Sequence, residues 1–332
     1  MNQAADPLME VVSVGRYLPD RVVTNAELER LVDTSDEWIR ERTGIRERRI
    51  ADPEMGAADM GAEAAKTAIC RAGIDPDQVD LILVTTATPD RLLPATAADL
   101  QLRIGATKAA AMDLAAACSG FIYGLAMAEG YLASGRGEYV LLVSTEKMSA
   151  IVDWDDRSTC VLFGDGAGAV LLRRSTNGRS GMLSNFMRSD GSLADLLYRP
   201  GGGALAPMSP DILDSKDHLV KMAGREVFKS AVRSMAEASD EALQRAGVTA
   251  GQIDLVIPHQ ANIRIIEATA RYAGIPMDKV YVNVDRYGNM SSATIPVALD
   301  EALEEGRIEE GSLILMVAFG AGLTWASSVY RW

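Results

Sequence analysis

Two stretches of this chain carry nearly the same text: RAGIDPDQVDLILVTT from Arg71 and RAGVTAGQIDLVIPHQ from Arg245. Each reads as the end of a helix, a glycine stop, a turn and a buried, β-branched strand. A second pair follows in the same order. CSGFIYGLAMAEGYLASGRGEYVLLV from Cys118 and NMSSATIPVALDEALEEGRIEEGSLILMV from Asn289 both read as an amphipathic helix running into an apolar strand, each with a Gly-Arg seventeen positions on. The third pair is FGDGAGAVLL from Phe163 and FGAGLTWASSVY from Phe319. Three matches in one order define a duplicated unit, and repetition constrains the fold more than any single motif.

The expected architecture is two copies of an α/β unit, residues 1–175 and 220–332, each a mixed sheet covered by helices. They are joined by an irregular connection, 176–219, around YRPGGGALAPMSPD. The Gly-Arg register makes Cys118 and Asn289 pseudo-equivalent, both starting helices near the interface of the copies. His259, after the strand IDLVIP, points to the same end. Domain interfaces and strand carboxyl ends are where small-molecule sites form in such sheets. The segment GDGAG is followed by AVLLRR, which reads as a strand where a dinucleotide fingerprint needs a helix. It is expected to be a tight turn between strands with close backbone packing.

Composition removes several classes of function. A net charge of −13 and the lack of a Lys/Arg stripe argue against nucleic acid. No apolar run approaches the length of a membrane span, and the N-terminal MNQAADPLMEVVSVG lacks a basic and apolar leader pattern, so a soluble, cytoplasmic protein is expected. Three scattered cysteines, Cys70, Cys118 and Cys160, form neither a disulfide framework nor a metal-ligand spacing. Cys118 lies in DLAAACSGF, between small residues at a helix start, where unpaired backbone N–H groups favour a thiolate. Cys70 and Cys160 lack that setting and are expected in the core. A cysteine, a histidine and an asparagine brought together by duplication suit acyl-thioester chemistry.

The combination TSDEWIRERTGIRERRI, AAACSGF, FGDGAGAV, MAGREVFK, PHQANIRII, GNMSSATIP and AFGAGLTW resembles the 3-oxoacyl-[acyl-carrier-protein] synthase III family of the thiolase superfamily almost end to end. The resemblance implies a thiolase-like fold: two duplicated halves with mixed five-stranded sheets in a layered αβαβα arrangement. An elongating condensing enzyme would use a second histidine, and His218 lies in the polar segment DSKDHLVK. A hydroxymethylglutaryl-type synthase would need a catalytic glutamate that is missing from the approach to Cys118.

The resemblance also implies roles. Cys118 would take an acyl group from acyl-coenzyme A, with the oxyanion held by backbone N–H groups of Cys118 and Ala321 in the turn Gly320-Ala321-Gly322, where the family has three glycines. Malonyl-acyl carrier protein would then lose carbon dioxide, its enolate oxygen held by His259 and Asn289, and attack the acyl group. Thr34, Trp38, Arg42, Arg157 and Asn262 would line the coenzyme A entrance. Arg264, extended by Lys221, Arg225 and Lys229, would dock the acyl carrier protein. Leu93 stands where acetyl-preferring members carry a bulky aromatic that closes the acyl pocket across a homodimer interface. These expectations include no permanently bound cofactor or metal, acyl-coenzyme A and malonyl-acyl carrier protein as substrates, and no membrane or nucleic-acid partner. The alternative is a related condensing or acyl-transfer enzyme of secondary metabolism; a silent scaffold is disfavoured by the intact triad.

Overall fold

The computed structural model describes residues 8–176 and 178–332. Its first sheet contains β1 (Met9–Tyr17), β2 (Leu81–Thr85), β3 (Ala110–Leu114), β4 (Tyr139–Lys147) and β5 (Asp165–Arg174) in the order β1-β5-β4-β2-β3. β2 runs parallel to β3 and β4, whereas β5 is antiparallel to both β4 and β1. The second sheet contains β6 (Gly181–Ser189), β7 (Leu255–Pro258), β8 (Leu313–Gly320) and β9 (Thr324–Arg331) in the order β6-β9-β8-β7. Its orientations repeat those of the first sheet strand for strand.

Two sequence expectations change here. The second half starts at Gly181, because GMLSNFMRS is an edge strand of its sheet and not part of an irregular connection. Its sheet has four strands where five were expected. In the fifth position Val280 makes a single parallel bridge to Val256. The Gln260 side chain substitutes for the missing ladder, donating to the Tyr281 carbonyl at 3.0 Å and accepting from Asn283 N–H at 3.0 Å. A buried amide that satisfies backbone groups removes the need for strand pairing.

The helices that matter for the site are α1 (Asp36–Thr43), α2 (Ala57–Ala72), α3 (Thr96–Ile104), α4 (Gly120–Ala133), α5 (Gly224–Ala246), α6 (Ile263–Tyr272) and α7 (Thr294–Glu304). α4 and α7 lie between the sheets: Phe121, Ile122 and Leu125 share one buried cluster with Ile295, Leu299, Val170 and Met316. α2 and α3 cover the outer face of the first sheet, and α5 and α6 that of the second. This is the five-layer αβαβα order. Burying about 25 cal/mol per Å² of apolar surface on both faces of each sheet is its driving force. On α2 the alanines face inward, while Glu63, Lys66 and Cys70 fall on the outer stripe. Cys70 is therefore exposed, contrary to expectation, and Cys160 is buried as expected.

The register of the duplication also shifts. Arg71 and Arg245 are 174 positions apart (245 − 71). So are Ala117 and Ser291 (291 − 117), which open the turns before α4 and α7 and share a left-handed φ of 45° and 46°. The counterpart of Cys118 is therefore Ser292, and Asn289 stands three residues upstream. The Gly-Arg match belongs to the helix ends: α4 has 14 residues and α7 has 11.

Candidate active site

Cys118 sits in a 3₁₀ turn, Ala117–Ser119, that runs directly into α4. The β8–β9 turn is packed on it, since a Cβ at Gly320 would lie 2.7 Å from Cys118 N and 3.1 Å from Ser119 N. His259 follows β7 and is fixed by its N–H donating to the Val317 carbonyl at 2.8 Å. Asn289 is gripped by the other half of the molecule. Its N–H donates to the Leu162 carbonyl at 2.8 Å and its carbonyl accepts from Gly164 N–H at 3.1 Å. Gly288 enters this contact with φ 65°, and a Cβ there would meet the Leu162 carbonyl at 2.8 Å. The GDGAG segment thus opens β5 and seats Asn289; it is not a turn between two strands, though its backbone is closely packed.

Cys118, His259 and Asn289 line one cavity of about 120 Å³, with Phe319, Met222, Leu197 and Phe228 among its walls. All three are buried, at 8, 2 and 8% exposure. Asn289 Oδ1 accepts from Ser291 N–H at 2.8 Å, which directs the amide NH₂ away from that turn as a donor. Burial lowers the His259 imidazole to about 3, so the ring is neutral at physiological pH. Burial also pushes the Cys118 thiol up to about 12; the Ser291 hydroxyl favours the thiolate and the Glu146 carboxylate opposes it. Desolvation therefore outweighs the helix start, and the resting Cys118 is a thiol. Ala321, the second expected oxyanion donor, lies in the turn beside Cys118.

The expected entrance residues separate by what their side chains do. Arg157 stacks on Trp38 with Cζ 4.6 Å from the ring centroid and donates to the Asp33 carbonyl at 2.6 Å. The Thr34 hydroxyl is buried with no partner among the described residues. Asn262 lines the cavity, but its side chain is engaged twice, capping α6 through Arg264 N–H at 2.8 Å and donating to the Arg42 carbonyl at 2.9 Å. Arg42 itself is exposed. Arg264 is exposed and lies over Phe228, 5.4 Å from the ring centroid, beside exposed Arg225 and Lys229 on α5 and half-buried Lys221. Leu93 is 86% exposed and lines no part of the cavity within this chain. His218 lies outside the site, its Nδ1 3.3 Å from the Ile212 carbonyl.

Sequence patterns did not reveal Leu197, which comes from the stretch between β6 and α5 that reads as linker, and Met222, at the head of the MAGREVFK motif, was not singled out as a wall of the site. Nor did they reveal Glu146, a fully buried carboxyl at the end of β4. It accepts from Ala87 N–H at 2.9 Å, the Thr88 hydroxyl at 3.0 Å and the Ser292 hydroxyl at 2.7 Å, bridging the halves beside Cys118. Its only signal was an acid closing the apolar run YVLLVSTEK. Among the described residues, no cluster of His, Cys, Asp and Glu could hold a metal and no helix is long and apolar enough to cross a membrane.

A buried cysteine at a helix start, facing a neutral histidine and an outward-turned amide across two duplicated halves, defines a condensing acyltransferase of the thiolase-like class. Comparison with known proteins gives the branch. Residues 112–191 match the family described as 3-oxoacyl-[acyl-carrier-protein (ACP)] synthase III, and residues 243–332 match its C-terminal part. The chain is 51% identical to β-ketoacyl-[acyl-carrier-protein] synthase III of Symbiobacterium thermophilum over 97% of both chains. It superposes on the crystal structure of 3-oxoacyl-[acyl-carrier-protein] synthase III from Aquifex aeolicus with a TM-score of 0.91, at 47% identity, covering 98% of this chain and 100% of that one. It also resembles the priming β-ketosynthase of a polyketide pathway, with a TM-score of 0.90, 36% identity and coverage of 100% and 98%. The chain belongs to the 3-oxoacyl-[acyl-carrier-protein] synthase III family, enzymes that initiate fatty-acid synthesis by condensation.

Proposed function

We propose that Cys118 attacks an acyl-coenzyme A thioester, that coenzyme A leaves, and that the acyl-enzyme then condenses with malonyl-acyl carrier protein to give 3-oxoacyl-carrier protein and carbon dioxide. The observation that carries this assignment is the shared cavity of Cys118, His259 and Asn289. In the acylation step the oxyanion is held by N–H groups of Cys118 and Ala321. In the condensation step the enolate oxygen is held by the Asn289 amide and the His259 Nε2–H, neutral donors that each contribute about 3–4 kcal/mol in comparable oxyanion sites. The thiolate forms as the attack proceeds, favoured by the start of α4 and opposed by desolvation.

Coenzyme A enters past the Trp38–Arg157 stack, where a flat apolar face and a guanidinium suit adenine and phosphate. No resident cofactor is needed for either step. The acidic carrier protein docks on Arg264, Arg225, Lys229 and Lys221 at the mouth of the cavity, a basic face on a chain of net charge −13. The enzyme works as a cytoplasmic homodimer: β3 is an edge strand of the first sheet, and exposed Leu92, Leu93, Leu102 and Met112 surround it. Burying Leu93 against a partner copy would bring it to the acyl pocket, where a leucine leaves more room than an aromatic ring. The polyketide-priming relative supports a second reading, priming of a secondary-metabolic chain with the same chemistry. Intact-mass detection of an acyl adduct on Cys118, absent in Cys118→Ala, followed by its discharge with malonyl-acyl carrier protein, tests the assignment. A panel of acyl donors and carrier proteins separates the two pathways.

A further inference from the structure

Neutral histidine has one N–H and two ring nitrogens, so a donor role for Nε2 requires that Nδ1 be held without a proton. The structure contains a group placed to do this. Thr294, the first residue of α7, has its hydroxyl 2.7 Å from His259 Nδ1. Both residues are buried, at 0 and 2% exposure, so water does not compete for the contact.

The same hydroxyl is 3.1 Å from the Ser291 carbonyl, which leaves two ways to distribute its single hydrogen. In one, Nδ1–H donates to Thr294 and Thr294 donates to Ser291. In the other, Thr294 donates to Nδ1, and the imidazole proton sits on Nε2. Two observations favour the second. The Ser291 carbonyl already accepts the Thr294 backbone N–H, so the hydroxyl is not needed there to satisfy a buried acceptor. The 3.1 Å separation from the Ser291 carbonyl lies beyond the usual hydroxyl-to-oxygen range, whereas the 2.7 Å contact with Nδ1 is a full hydrogen bond.

We infer that Thr294 is a positioning residue that sets the tautomer of His259, donating to Nδ1 so that Nε2 carries the proton and faces the cavity. The inference deepens the donor role proposed for His259 and rests on it for its consequence, though not for its test. Thr294 touches no reacting atom. Its effect passes through the imidazole, and the turn Ser291–Ala293 that places it also orients Asn289 through Ser291 N–H. One turn thereby prepares both donors of the condensation step.

The chain has only two histidines, His218 and His259, so ¹⁵N-histidine labelling of the full-length protein gives two imidazoles, assigned with a His218→Asn variant. In the ligand-free wild type, His259 should show a one-bond proton coupling at Nε2 and an unprotonated, hydrogen-bonded Nδ1. Thr294→Ser should keep that signature. Thr294→Val should shift it toward a mixture of tautomers, with malonyl decarboxylation about tenfold or more slower and acylation of Cys118 within about twofold of wild type. A protonated Nδ1 in the wild type, or a wild-type imidazole signature in Thr294→Val, would overturn the inference. Should Thr294→Val fail to fold, the wild-type and Thr294→Ser spectra still decide it. Because the tautomer is read without substrate, a failed donor role for His259 would appear separately, as unimpaired decarboxylation in His259→Ala.

Discussion

Adding one methyl group at Gly320 should disable acylation at a stability cost that can be measured beside it. The Cβ would stand 2.7 Å from Cys118 N, 3.1 Å from Ser119 N and 3.3 Å from Ala117 Cβ. The two closest atoms are backbone amides of the turn entering α4, which cannot rotate aside as a flexible side chain would. Relief has to come from moving the turn that carries Cys118 away from the β8–β9 turn. Overpacking of this kind costs about 1–3 kcal/mol, or a Tm drop of roughly 1.5–4 °C in a chain of this size. Displacing the Cys118 N–H from the oxyanion should slow acylation by about 10²–10³-fold, the effect of losing one such donor. Single-turnover acylation of Cys118, followed by intact mass, reads the first quantity; a thermal melt reads the second. Gly130→Ala is the control. It lies in the same helix with nothing within 4 Å of its Cβ and an ordinary helical φ, so it should leave acylation unchanged and raise stability by about 0.5–1 kcal/mol. A Gly320→Ala enzyme that acylates within twofold of wild type with an unchanged melt would refute the argument.

His259→Ala and Asn289→Ala should each impair malonyl decarboxylation far more than acylation of Cys118, and equal losses in the two half-reactions would show the roles to be misassigned. Wild-type stability should fall with acid between about pH 6.5 and about 3, because the unfolded chain protonates His259 before the folded one does; the slope is at most about 1.4 kcal/mol per pH unit, and pH-resolved denaturation of His259→Gln should lack that component. Glu146→Gln removes a charge that raises the thiol, so Cys118 should be alkylated faster by iodoacetamide at fixed pH even as the melt drops; a slower reaction counts against an ionised Glu146. Wild type should use butyryl donors at least as well as acetyl, by about 0.8 kcal/mol per accommodated methylene, and Leu93→Phe should swing kcat/KM toward acetyl.

The duplication was legible because its signals are local. Glycine stops after α2 and α5 and the apolar runs of β2 and β7 depend on nothing distant. What the sequence concealed depends on contacts across the molecule. The match of Cys118 to Asn289 was anchored at helix ends, and α7 is three residues shorter than α4, so the equivalence slipped to the wrong residue. β6 escaped notice because an edge strand is half exposed, and GMLSNFMRS shows neither a continuous apolar run nor a clean alternation. The fifth strand of the second sheet reduces to one bridge because Gln260, far from it in sequence, meets its backbone. That Cys118, His259 and Asn289 would come together in one cavity was readable, whereas the groups bonded to them were not: Thr294 and Ser291 stand in plain text in GNMSSAT, but a hydroxyl in a sequence does not say which atom it faces.

The dryness that raises the Cys118 thiol looks at first like a defect in a nucleophile, and it is better understood from the second half-reaction. Among the described residues that line the cavity there is no lysine, arginine or carboxylate. With the thiol raised and the imidazole lowered, the side chains lining the cavity carry no full charge at neutral pH. In the proposed condensation a malonyl carboxylate enters this site and meets no buried cation that would stabilise it as a carboxylate. Loss of carbon dioxide moves the negative charge to the thioester oxygen, where two fixed neutral donors await it. Interactions that strengthen along this path lower the barrier, whereas a cation holding the carboxylate would stabilise the ground state. A cationic His259 would also favour water and anions in the cavity, so the burial that keeps the ring neutral serves the same end. The cost falls on acylation, where the thiolate must form against desolvation, and the start of α4 together with the Ser291 hydroxyl offsets part of it. The two half-reactions therefore make opposite demands on the polarity of one cavity, and the residues lining it favour the condensation step.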